Sequence, residues 1–276
     1  MRLRETALVT LRELREATRG RLFAVASLSF FAISLGLSLL GLAGAQRSGL
    51  AGFDRTTAGL LNLALVFVPL FTLLIGALGI SGELEDGSLA VLLAQPLTRR
   101  EVFTGKYLGL LSGVWAALFT GFGATGVIVG LYAGGNASAF LSLVGLLMVY
   151  SASTLAIGML LSVTLRSRVR AIGAAFAAWL LFVYVSDLGS IGLAIARGLA
   201  PAQLFALAML NPVEQARVGG TLALTDRLEV LGPVGIFALD HLGAAGVAAL
   251  MHILLASTAV VLVLVGQRIF RKTVLA

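Results

Sequence analysis

The chain has no cysteine in its 276 residues, only two lysines and two histidines, and a charged fraction of 12%. The missing cysteine excludes disulfides, thiolate metal sites and a cysteine nucleophile. Soluble domains carry roughly 25% charged residues, so half that share excludes an ordinary globular protein. A phosphate-binding G-x-x-x-x-G-K-[ST] loop is also absent: Gly105-Lys106 runs into Tyr107 and lacks the upstream glycine spacing. ATP hydrolysis therefore does not belong to this chain, which is read as a non-enzyme. No His/Ser/acid constellation falls at one depth, leaving an intramembrane enzyme as a distant alternative. An inverted internal repeat, usual in ion-coupled secondary transporters, is missing as well; such a transporter, working without an ATPase, is the nearer alternative.

What is present is hydrocarbon. Hydrophobic residues make up 59% of the chain and 33 residues are glycine, a composition suited to helices that approach closely in lipid. The net charge of +7 sits beside apolar segments, so it speaks for topology and not for nucleic acid. The expectation is an all-α integral membrane protein, one domain over 1–276, with six transmembrane helices at 22–44, 58–81, 108–133, 139–165, 171–196 and 243–266. Residues 1–21 alternate arginines and glutamates with Leu3, Ala7, Leu11 and Leu14, the pattern of an interfacial helix. Gln46 to Thr57 and Gly134-Gly135-Asn136 are outside turns. Pro69 is expected to kink the second span. Section 197–242 is an external loop with re-entrant or interfacial helices, because Ala202–Leu210 is too short to span. Asn211-Pro212 marks a turn there and Gly219-Gly220 a break.

Lys and Arg settle the expected orientation. The leader, the second and fourth connections and the tail hold 6, 3, 3 and 3 of them; the opposite side holds Arg47, Arg55, Arg197, Arg217 and Arg227. Positive charge marks the cytoplasm. Both termini and the polar stretch 82–107 are thus expected inside, in the cell's inner membrane.

That polar stretch reads G-E-L-E-D-G-S-L-A-V-L-L-A-Q-P-L-T-R-R-E-V-F-T-G-K from Gly82 to Lys106. Glu83 to Asp86 extends the second span, Ser88 to Gln95 makes a short helix, and Pro96 ends it. Thr98-Arg99-Arg100-Glu101 is a capping-box pattern that starts the next helix. The product is a stiff cytoplasmic elbow.

The stretch resembles the signature of permease subunits of type-2 ABC transporters, with its acids, Gly-Ser-Leu step, Leu-Leu-x-x-Pro segment and Arg-x-x-hydrophobic-x-x-x-Lys tail. The leader L-R-E-L-R-E-A-T-R-G-R-L-F resembles that family's N-terminal interfacial elbow helix. The resemblance implies a coupling helix between spans 2 and 3, docking on a separate ABC ATPase subunit through Glu83, Glu85, Asp86, Ser88, Leu89, Leu92, Pro96 and Arg99. It implies no cofactor on this chain, with ATP and Mg on the partner, and a homodimer, since such ATPases work in pairs. The segment around Leu210-Asn211-Pro212 and Phe182 to Ala196 further resembles the NosY-type subgroup. That subgroup serves maturation of nitrous-oxide reductase with a periplasmic accessory protein, which would make copper or sulfur species the cargo.

Candidate substrate groups lie deeper in the chain. Asp187 is either a carboxylate in the translocation path or the mark of a helix break reaching water. Ser151, Ser153 and Thr154 join it as path candidates, although such hydroxyls commonly bond back to their own helix. His241, His252 and Met251 offer soft ligands for Cu(I). Without a closely spaced Met or His pair, an ordinary interfacial histidine is the competing reading.

Overall fold

The computed structural model describes residues 3–21, 23–25, 27–32, 35–36, 52–132, 137–225, 228 and 231–273. Among them every element is helical: α1 (Leu3–Arg19), α2 (Gly52–Glu85), α3 (Ser88–Leu93), α4 (Arg99–Tyr132), α5 (Ala137–Leu165), α6 (Arg168–Leu180), a π-helical turn (Leu181–Val185), α7 (Ser186–Arg197), α8 (Pro201–Ala208), α9 (Pro212–Thr225) and α10 (Pro233–Thr273). Five stretches are long and apolar enough to cross a membrane: Gly59–Glu85, Arg99–Gly123, Ser138–Leu165, Arg168–Val185 and Pro233–Lys272. The first expected span, 22–44, is described only in part, and those residues are helical; the 46–57 turn is described only from Gly52, where α2 has already begun. The 134–136 turn lies outside the described residues.

Helix α5 is the central post, packed against α2, α10, α9 and α4. Its Leu143, Leu146, Leu147 and Tyr150 are buried with Leu60, Leu61, Leu65 and Val68 of α2 and Val213 and Ala216 of α9. Lipid supplies no hydrophobic force between helices, so close backbone approach and hydrogen bonds must hold them. The chain uses both. A methyl group added at Gly76 would strike the α5 backbone at Leu155, and one at Gly158 would strike Leu73 of α2. Beside this crossing the hydroxyls of Thr72 and Thr154 meet at 2.7 Å. Ser162 Oγ accepts the backbone N–H groups of Ile80 and Ser81 at 3.1 and 2.7 Å.

The same device seats α1. Gly105, Gly109 and Gly113, one turn apart, form a groove along α4 in which Val9, Glu13 and Ala17 lie. The leader is amphipathic, but its inward stripe is Thr6, Val9 and Glu13, while Leu8 and Leu11 are exposed. Of the expected apolar face, Ala7 and Leu11 are thus turned away from the bundle, while Leu14 is half-buried.

Helix α2 continues through Pro69. Two expectations change. The fifth span does not run evenly over 171–196: a π-turn interrupts it, and the apolar stretch ends at Val185. Gly219-Gly220 is no break, because α9 continues through it and the glycines let Leu146 and Leu61 approach closely. Asn211-Pro212 is the helix start, with Asn211 Oδ1 accepting the Val213 N–H at 2.9 Å, as an N-cap followed by proline at the first helical position should. The Asn211 amide also donates to Phe182 O, a carbonyl of the π-turn, at 2.7 Å. Section 197–242 contains helices, as expected, and α9 is packed between α2, α5 and α10. The last helix bends at Gly243 (φ 64°, ψ 167°), where the sixth span was expected to begin.

Candidate functional site

The elbow grows out of α2 by one reversal. Gly87 adopts φ 74°, the left-handed region that glycine enters without steric cost, and α3 folds back onto the bundle. Leu89 and Leu92 turn inward among Val102, Phe103 and Phe270. These two leucines, expected at the partner surface, are buried and fasten α3 to the bundle. The outward surface of the elbow is Ala90, Val91, Ala94, Gln95 and Pro96, with Val91 70% exposed. The cap at the next helix is reciprocal: Thr98 N–H donates to Glu101 Oε2 at 2.9 Å, and Glu101 N–H donates to Thr98 Oγ1 at 3.3 Å.

Beneath the elbow sits the chain's strongest polar feature. Lys106 is fully buried, and its Nζ lies 2.6 Å from Glu13 Oε1 and 2.7 Å from Glu83 Oε1. One ammonium thus ties α1, the end of α2 and the start of α4. Burying a charge costs several kcal/mol unless it is paired, and here two carboxylates share one cation. The surplus negative charge has a visible consequence. Burial raises the Glu13 pKa, overriding the opposing pull of Lys106, and neighbouring Glu83 and Glu16 push it the same way. Glu83 Oε2 is buried with no hydrogen-bond partner among the described residues.

The other elbow acids are also engaged within the chain. Glu85 Oε1 accepts the Arg168 N–H at the start of α6 at 2.8 Å, and Asp86 Oδ2 meets the Arg168 guanidinium at 2.7 Å. The Ser88 hydroxyl lies 3.5 Å from Glu83 O. On the far flank Arg99 Nη1 donates to Arg271 O near the end of α10 at 2.9 Å. The elbow is therefore bonded to α1, α4, α6 and α10. Sequence reasoning named Glu83, Glu85, Asp86 and Arg99 but missed Glu13, Lys106 and Arg168, to which the three acids are tied. The rarity of lysine was the available signal for Lys106.

The deeper candidates separate. Ser151, Ser153 and Thr154 are fully buried inside the bundle. Ser151 donates to Met148 O and Thr154 to Tyr150 O, while Ser153 Oγ has no partner among the described residues. Asp187 lies in the first turn of α7, two residues beyond the apolar stretch, and its side chain is outside the described residues. His241 stacks on Phe237 and holds its carbonyl at 3.0 Å; His252 holds Ala248 O at 2.8 Å. The Gly243 bend lies between the two rings, and Met251 is buried in a satellite core with Phe205 and Val247. Among the described residues His241 packs on Phe237, His252 bonds to its own helix and Met251 belongs to that core. His252 also lines a cavity of about 490 Å³ with Ser138, Ser142 and Gly219, at the end of the bundle opposite the elbow. The carboxylates of Glu13, Glu16 and Glu83 do converge within 4.8 Å, but Lys106 already occupies two of them.

The geometry is that of a helical bundle with a rigid polar handle, and sequence comparison says what kind. The profile described as ABC-2 family transporter protein matches residues 7–274. The chain belongs to the ABC-2 family. The permease is 34% identical over 216 residues to the probable ABC transporter permease protein NosY of Pseudomonas aeruginosa, covering 75% of this chain and 78% of that one. It is 32% identical over 214 residues to the protein of the same name from Stutzerimonas stutzeri, with the same coverage of both chains. It is a NosY-like, multi-pass membrane permease subunit of an ABC transporter, a transport component and not an enzyme.

Proposed function

We propose that this permease converts the stroke of a separate cytoplasmic ATPase into movement of its helices, and that the elbow is where the stroke is received. One observation carries the reading: the short helix α3 packs on the bundle through Leu89 and Leu92, and the helix ends on either side of it, the end of α2 and the start of α4, are bonded to each other and to α1, α6 and α10. A push on a loose loop would dissipate, whereas a push on this elbow displaces helices directly. In this reading the termini face the cytoplasm, two permeases pair to serve two ATPases, and ATP and Mg stay on the partner. By analogy with its NosY-like relatives, the transported species serves nitrous-oxide reductase maturation as copper or a sulfur compound, delivered to a periplasmic accessory protein. The cavity beside His252 is the natural vestibule for it, having hydroxyl and imidazole groups in otherwise apolar walls.

The test uses Val91, because its side chain is exposed and holds nothing in the fold. Reversing Glu83 would instead unmake the Lys106 cluster and confuse coupling with folding. Val91→Arg is expected to leave membrane insertion and thermal stability unchanged while ATPase co-purification and transport-stimulated hydrolysis fall at least tenfold, about 1.4 kcal/mol of binding. A variant that still binds a fully stimulated ATPase would remove the elbow from the coupling interface.

A further inference from the structure

On the flank of the elbow, the start of α4 and the end of α10 enclose a pocket of about 790 Å³. Its polar lining is Thr98, Arg99, Arg100, Glu101, Thr104, Gln267 and Arg271, so three guanidinium groups face one carboxylate. That carboxylate is already bonded to the Thr98 N–H. Arg100 and Arg271 form no ion pair among the described residues. Arg99 is steadied by its bond to Arg271 O, and Gln267 by donating to Thr104 Oγ1 at 2.7 Å. The pocket is thus built and carries more positive than negative side chains, and among the described residues Arg100 and Arg271 have no acidic partner.

Its position decides what would fill it. Both helices end their apolar stretches here, at Arg99 and at Lys272, so the pocket opens at the membrane surface. Directly below it the exposed residues of α10 are Val260, Val261, Leu264 and Val265. Their three- and four-residue spacing puts them on one face. Leu264 belongs to both the stripe and the pocket wall. Positive charge above an apolar stripe matches one molecule in two parts, a phosphate headgroup and its acyl chains. We infer that this pocket is a binding site for an anionic phospholipid, with Arg100 and Arg271 holding the phosphate and the α10 stripe carrying an acyl chain. Guanidinium groups suit phosphate because they present paired donors in a plane, and basic pockets between membrane helices bind acidic headgroups. The site does not depend on the ATPase or on the identity of the cargo.

The experiment measures lipid retention by the delipidated full-length protein in detergent, using native mass spectrometry with phosphatidylglycerol, phosphatidylcholine or inorganic phosphate added. Wild type is expected to retain phosphatidylglycerol in preference to phosphatidylcholine. Each basic residue near a membrane surface contributes about a factor of five, so the R100Q/R271Q double variant should bind phosphatidylglycerol about thirtyfold more weakly. Both side chains are exposed, so the fold is not at stake. The charge-matched R15Q/R19Q variant on α1 should bind as wild type does. Leu264→Asp should weaken lipid binding while leaving the guanidinium groups in place. Equal retention of the two lipids, or equal losses in both double variants, would overturn the site. Inorganic phosphate binding as tightly as phosphatidylglycerol, or insensitivity to Leu264→Asp, would overturn its assignment to lipid.

Discussion

The two ends of this bundle solve different problems with the same small vocabulary. At the elbow end, side chains from distant parts of the chain are bonded to one another: Glu13 with Lys106, Lys106 with Glu83, Glu85 and Asp86 with Arg168, Arg99 with the backbone of α10. At the opposite end, polar groups line space, as Ser138, Ser142 and His252 do around their cavity. Charges spent on each other make a rigid object, while polar groups left facing a cavity can bind something. In the proposed reading, transmission belongs to the first end and selection to the second.

The strongest way to break the comparison is to remove the shared cation. Lys106→Met leaves Glu13 and Glu83 buried without their partner, and breaking a buried pair in this way costs about 3–5 kcal/mol. A marked fall in the detergent Tm is expected, with any surviving folded protein showing a detached α1 by increased proteolysis of the leader. A Tm unchanged from wild type would mean that the elbow is not held at its base. The opposite end should respond in the reverse sense. His252→Ala removes a partly buried ring whose one described hydrogen bond is to its own helix, so stability should move by no more than about 0.5 kcal/mol. Transport, read as maturation of the downstream enzyme, should fall severalfold. Undiminished transport would leave the cavity without a role.

How much of this was legible follows from how local each signal is. The Thr98–Glu101 cap joins residues three apart and was readable in full. The prolines at 201, 212 and 233 each open a helix, a local preference that the sequence states plainly. Glycine was harder. Gly109 and Gly113 were visible as a spaced pair, but with 33 glycines such pairs arise by chance, and only the packing of α1 singles them out. Gly219-Gly220 carried the opposite meaning from the one its composition suggests, because close approach to α2 and α5 outweighs the weak helix propensity of glycine. The Glu13–Lys106 bond spans 93 residues of sequence, and no periodicity connects its ends. Side chains assigned to a partner, notably Leu89 and Leu92, proved to point inward, since a six-residue helix is too short to declare its buried face by pattern.

The finest test concerns how tightly the elbow's charges are balanced. Glu13 faces Lys106 on α4, Glu83 on α2 and Glu16 on its own helix, and burial outweighs the lysine, so a window opens between the ordinary carboxyl pKa of 4.5 and the raised one. In that window the folded chain holds more protons at this position than the unfolded one. Stability from this group is therefore complete below 4.5 and is lost as pH rises through the raised pKa. Glu13→Gln keeps the Lys106–Glu83 pair, removes the repulsion between acids, and should flatten that decline. The readout is Tm against pH for the two proteins in the same detergent. Superimposable profiles would show that Glu13 is already fully compensated by Lys106, and the elbow end would then be as settled electrostatically as it is sterically.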